Sequence, residues 1–83
     1  MMMAILQIPR VRAELANMSR SRFYRDVQLG LLTKPIKLGA RAAGVPDYEI
    51  AALAQARIAG KTDDEIRALV QRMHAARAQV GEL

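Results

Sequence analysis

The segment Ser19-Arg20-Ser21-Arg22-Phe23-Tyr24-Arg25-Asp26-Val27-Gln28-Leu29-Gly30 reads as a short basic helix with its own start and stop. Ser19 carries the hydroxyl with which an N-cap accepts a bond from an orphan amide of the first turn, and Gly30 supplies the left-handed residue that commonly ends a helix. The predicted helix runs from about Arg20 to Leu29. Phe23 and Val27, four apart, fall on one side and tie it to a core. Arg20, Ser21, Tyr24, Arg25 and Gln28 fall on the opposite side, and Arg22 lies between the two faces. Arginine forks grip guanine edges or phosphates, and hydroxyls reach backbone oxygens with little charge penalty, so this face suits the major groove of duplex DNA. A solvated surface helix is the bland alternative, and the cap, the stop and the opposed apolar side together weigh against it.

Upstream, Ile5, Leu6 and Ile8 form a short extended stretch and Pro9 sits where proline is welcome, in the first turn of a helix. That helix is predicted from about Pro9 to Ala16, with Val11 and Leu15 inward and Arg10, Arg12 and Glu14 outward. Asn17, which tolerates the left-handed conformation, ends it. Two helices joined by a tight turn at Asn17 and Met18 make a helix-turn-helix. The first helix of that motif crosses the DNA backbone, so Arg10 and Arg12, with Ser19, are candidate phosphate contacts.

Downstream, Pro35, Gly39 and Gly44 punctuate a stretch in which Ile36 and Leu38 alternate around Lys37. This predicts a hairpin: a strand through Ile36 to Leu38, a turn near Gly39 and Ala40, and a return strand from about Arg41 to Val45. A hairpin beside a helix-turn-helix is a wing. Arg41 is the choice for insertion into the adjacent minor groove, with Lys34 and Lys37 either on the backbone or guarding a strand edge.

Pro46 restarts helix, with Asp47 and Glu49 in a first turn where they complement the macrodipole, and Ile50, Leu53, Ala54 and Ile58 follow at helical spacing up to Gly60. A last helix opens at Thr62, whose spacing to Glu65 is that of a capping box. Ile66, Leu69, Val70, Met73 and Val80 stripe this helix. The stripe either completes the core or leaves Ile66, Leu69, Val70 and Met73 as an interface for another protein chain. His74, one position off the stripe, reads as a surface or boundary residue. The expected fold is therefore mainly α with a small β-hairpin: a winged helix-turn-helix over residues 1–60, then a C-terminal amphipathic helix over 61–83 as a candidate oligomerisation element.

The chain has 83 residues and no cysteine, which bounds it to one modest core without disulfides or thiolate metal sites. A lone His74 cannot hold zinc, so no metal and no cofactor are expected. No apolar run approaches the roughly 20 residues that span a bilayer, and Met1 to Ile8 lacks the leader of a secretory signal, so a cytoplasmic protein is expected. The net charge of +5 is unevenly spread: up to Val45 eight Lys/Arg face two acids, while from Pro46 five face six. A basic front suits polyphosphate. No serine is matched to a histidine and carboxylate, and no glycine-rich loop leads a strand into a helix, so an enzyme is not expected.

The order Ile5-Leu6-x-Ile8-Pro9-x-Val11, Met18-Ser19-Arg20-Ser21 leading to Tyr24-Arg25, Gly30, Pro35-Ile36-Lys37-Leu38-Gly39, Arg41, and Gly44-Val45-Pro46 before Glu49-Ile50 resembles the AlpA-type phage and mobile-element regulators. These are related to MerR-like winged helix-turn-helix excisionases. The resemblance covers about Ile5 to Ile58. Val45 and Leu53 stand where the family usually or often has tryptophan, and Asn17 where it commonly has the glycine that ends helix one. The resemblance implies a sequence-specific double-stranded DNA-binding protein of a prophage or integrative element, working at the bacterial nucleoid. Its role is either that of a recombination directionality factor, which bends DNA, self-associates cooperatively and assists an integrase, or that of a transcriptional regulator of element genes. From a different class, an adaptor or antitoxin would dock its C-terminal helix in a groove on another protein. A membrane-surface peptide fits less well, because the basic residues do not line the polar face of a long helix.

Overall fold

A computed structural model describes residues 4–80, with the element order β1 (Ile5–Gln7), α1 (Ile8–Glu14), α2 (Arg20–Gln28), β2 (Ile36–Lys37), β3 (Ala43–Pro46), α3 (Asp47–Ile58) and α4 (Asp63–Val80). Ser19 caps α2 as its side chain predicts: Oγ accepts from the Arg22 amide at 3.2 Å. Gly30 follows α2 with φ 76°. α1 holds Pro9 in its first turn but ends at Glu14, short of the expected Ala16. The reason is the reversal itself, in which Ala16 (φ 62°) as well as Asn17 (φ 56°) is left-handed. A left-handed alanine is unfavourable. Two bonds to Met18 offset it, from its amide to the Arg12 carbonyl at 3.0 Å and from Arg12 Nε to its own carbonyl at 2.9 Å.

The hairpin is present, with Ile36 opposite Gly44 and Lys37 opposite Ala43. The Leu38 amide donates to the Ala42 carbonyl at 2.8 Å, which leaves Gly39, Ala40 and Arg41 as the loop. Arg41 thus sits in the turn, not on the return strand where its position after Gly39 and Ala40 predicts it. A third strand joins on the other edge of β3, giving the antiparallel order β1-β3-β2 with Leu6 opposite Val45. Three residues are too few to show an alternation, which is why Ile5–Gln7 reads from sequence only as an extended stretch. Gly44 permits the pairing: a Cβ there would lie 2.6 Å from the Leu6 carbonyl oxygen and 2.7 Å from Ile5 Cγ2. Gly44→Ala is expected to pry β1 from β3 and cost about 1–3 kcal/mol, read as a lowered melting temperature by circular dichroism. An unchanged melt would mean that β1 does not seat against β3.

The core is drawn from every helix: Val11 from α1, Phe23 from α2, Ile50 and Leu53 from α3, Ile66 and Val70 from α4, with Leu31, Leu32 and Val45 between. Of the predicted C-terminal stripe, Ile66 and Val70 are buried and Leu69 and Met73 pack partly buried against them. The candidate interface is therefore the chain's own core, which runs across the expected boundary at Gly60. Val80 lies outside the residues whose side chains are described. In α3 the predicted row holds for Ile50 and Leu53, but Ile58 is 85% exposed. An i, i+4 row drifts about 40° per step around a helix of 3.6 residues per turn, so the Ile50-Ala54-Ile58 row leaves the core and Glu49, Leu53 and Ala56 face it.

One face of α4 fixes the other elements. Arg67 Nε donates to the Leu29 carbonyl at the end of α2 at 2.9 Å. His74 Nε2 accepts from the Lys34 amide at 3.0 Å, just before β2. Arg77 grips both carboxylate oxygens of Glu49 at 2.8 and 2.7 Å. Glu49 stands in the first turn of α3 as expected, and is in addition a buried partner of α4. The capping box forms, Thr62 N donating to Glu65 Oε1 at 3.0 Å and Glu65 N to Thr62 Oγ1 at 3.2 Å, which holds the Glu65 carboxyl below its usual range.

Burial, the Arg77 charge and, less, Lys34 hold the half-buried His74 imidazole below its ordinary pKa, with Glu49 opposing. Because the unfolded chain protonates this histidine first as pH falls, its contribution is complete above about pH 6.5 and is lost on acidification. The urea midpoint is expected to fall between about pH 7 and about pH 5.5, and to fall less in His74→Gln, whose amide oxygen keeps the acceptor. Equal pH dependence in both proteins would contradict this role. Among the described residues, no helix is long and apolar enough to cross a membrane.

Candidate nucleic-acid interface

Phe23 is fully buried and is the root of the site. The Tyr24 ring meets it edge-on, with centroids 5.1 Å apart and planes at 89°. Arg20 lies over the Tyr24 ring, its Cζ 5.8 Å from the centroid. A cation over an aromatic face is worth about 0.5–1 kcal/mol when exposed, enough to bias the guanidinium towards one orientation. The core thus positions an exposed arginine through a half-exposed tyrosine. Ser21, Arg25 and Gln28 are exposed on the same outer arc of α2, and Arg22 is exposed at its far margin.

Beyond Arg20 and Tyr24 the surface becomes concave. Gln7 and Ile8 at the β1–α1 junction, Arg12 in the last turn of α1, Arg20 and Tyr24 of α2, and Arg41 of the hairpin loop border one cleft of about 360 Å³. Three guanidinium-bearing side chains from three separate elements meet there, and none of the described residues lining the cleft is acidic. Arg12 holds its place through its Nε bond to the Met18 carbonyl, so the same residue that closes the α1–α2 turn borders the cleft.

Other sequence candidates lie apart from this cleft. Arg10 is engaged by Glu14 at 2.8 Å on the outer side of α1. Ser19 spends its hydroxyl on the cap. Lys34 and Lys37 are exposed, but neither lines the cleft. Arg22 and Arg25 each place Nε 3.7 Å from the carboxylate of Asp26, which is 4% exposed. Asp26 is the residue sequence reasoning passed over. A lone acid within a basic segment, one position before Val27 on the apolar side, was the available signal. It lies within ion-pair distance of two of the arginines.

No group of three or more His, Cys, Asp or Glu side chains that could hold a metal ion occurs among the described residues. Comparison with known proteins finds no matching family model, no matching curated protein and no matching solved structure.

Proposed function

We propose that this chain binds duplex DNA as a winged helix-turn-helix, with α2 in the major groove and the β2–β3 hairpin as the wing. The observation that carries this reading is the convergence of Arg12, Arg20 and Arg41 on one cleft without an acidic lining residue. Three such groups facing a common concavity repel one another unless an anion lies between them, and a strand of phosphates supplies one at every step. Tyr24 and Arg20 lead from that cleft onto the outer arc of α2, where Ser21, Arg25 and Gln28 reach base edges or phosphates. Arg41, carried on the hairpin loop, enters the neighbouring minor groove.

Together with the AlpA-type resemblance, this makes the chain a regulator of a prophage or integrative element. It serves excision beside an integrase or controls transcription of the element's genes. The adaptor reading loses its main support, because the α4 stripe it needs is in the chain's own core. Hydroxyl-radical footprinting on the element's own control region tests the proposal. Protection of one major-groove face with the adjoining minor groove is the expected pattern. A phased array of such footprints favours the excision role, a single one the transcriptional role. Absence of protection at low salt would refute DNA recognition itself.

A further inference from the structure

Two side chains of α4 take hold of main chain in the two elements that meet at the basic cleft. Arg67 donates from Nε to the Leu29 carbonyl, at the end of α2, at 2.9 Å. His74 accepts at Nε2 from the Lys34 amide, at the entry to the hairpin, at 3.0 Å. The two residues are seven apart, which places them on one face of the helix and about 10 Å apart along its axis. Pro35 has no amide hydrogen, so the Lys34 amide is the last donor before β2 opens at Ile36. Leu32 and Thr33, just before it, are buried, but the Thr33 hydroxyl has no hydrogen-bond partner among the described residues. The polar fastening of the hairpin's entry to the helical body therefore falls on His74.

We infer that His74 is a positioning residue for the wing: its neutral imidazole latches the hairpin to α4, which holds Arg41 against the cleft that Arg12 and Arg20 border, and protonation releases it. The latch itself needs no nucleic acid; its consequence for affinity rests on the proposed DNA binding. A protonated imidazole carries hydrogen on both nitrogens and turns a donor towards the Lys34 amide, so the bond is lost. Burial disfavours the charged form, as do Arg77 on α4 and Lys34 itself, while Glu49 on α3 opposes them with a carboxylate that Arg77 holds. Release therefore belongs to mild acid, below about pH 6.5. The Arg67 hold involves no histidine, so the end of α2 stays fixed while the wing loosens.

Affinity for a labelled duplex, compared at about pH 7.5 and about pH 5.5 between the wild type and His74→Gln, tests the inference, because the glutamine amide oxygen accepts at both. On acidification the wild type is expected to lose about threefold to tenfold relative to the variant, since one unit below the ordinary histidine value a proton shifts such an equilibrium by at most about tenfold. An added positive charge by itself strengthens binding to phosphates, so the expected change has the opposite sign from bulk electrostatics. In an Arg41→Ala background the two chains are expected to respond to pH alike, a result that a merely structural role for His74 does not produce. In the DNA-free protein the Lys34 and Leu38 amide resonances are expected to follow the His74 imidazole titration, and the Phe23 amide of α2 to stay. Equal pH dependence of duplex affinity in wild type and His74→Gln, or hairpin resonances that ignore the titration, would each overturn the inference. Binding of no duplex at either pH defeats the DNA reading instead, and the free-protein resonances then decide the latch alone.

Discussion

Arg77→Ala is expected to destabilise the protein by about 3–5 kcal/mol, because it leaves the Glu49 carboxylate buried without its partner. Glu49 is 1% exposed, and Arg77 contributes both of its side-chain hydrogen bonds. Such a loss is comparable with the roughly 5–15 kcal/mol that holds a small domain together. Arg77 itself keeps 21% of its side chain in solvent, so the intact pair need not be worth this much. The penalty belongs to the orphaned acid. Replacing both partners, as Glu49→Leu with Arg77→Met, is therefore expected to recover most of the stability. A thermal melt of the three proteins decides: a fall of roughly 15–30 °C for the single variant and a near-wild-type double variant is expected. If Arg77→Ala melts within a few degrees of wild type, α4 is not fixed to α3 in this way.

On the other face of the molecule, Arg20→Ala and Arg41→Ala are each expected to cost about 1–3 kcal/mol in binding to a specific duplex, roughly fivefold to 150-fold in affinity. Both residues are exposed, so stability is expected to change by no more than about 1 kcal/mol, the upper end of the Arg20–Tyr24 contact. Their losses should not simply add, because the two border one cleft and the site left by one truncation is also what the other uses. Arg22→Ala serves as the contrast. It lies on the opposite flank beside Asp26 and is expected to change affinity much less. Titration of a labelled duplex by fluorescence anisotropy reads all three. Equal losses for Arg22 and Arg20 would mean that the whole basic helix acts as a diffuse charge.

Much of this arrangement was legible because it rests on local rules. The Ser19 cap, the Gly30 stop, the Thr62–Glu65 box and the division of α2 into a Phe23 side and an Arg20–Tyr24 side depend on neighbours within a turn of helix, and the structure reproduces them. What escaped depends on partners far along the chain. Nothing adjacent to Glu49 shows that Arg77 will meet it, nor does anything adjacent to Ile5 show that β3 will pair with it. Ile58 misled for a different reason: a row that begins in the core at Ile50 has rotated out of it two turns later. The hairpin was legible, but its loop position for Arg41 depends on the Leu38–Ala42 bond, one residue of register that turn chemistry alone does not specify. The cleft is of the same kind. Arg12, Arg20 and Arg41 were each visible as basic residues, and only the fold brings them to one concavity.

The salt dependence of duplex binding, wild type against the Arg20→Ala/Arg41→Ala double variant, tests the shared role of that cleft most directly. Each phosphate contact contributes about 0.9 to the slope of log affinity against log salt. The double variant is expected to bind more weakly with a slope shallower by nearly two. Wild-type affinity and slope in the double variant would contradict it.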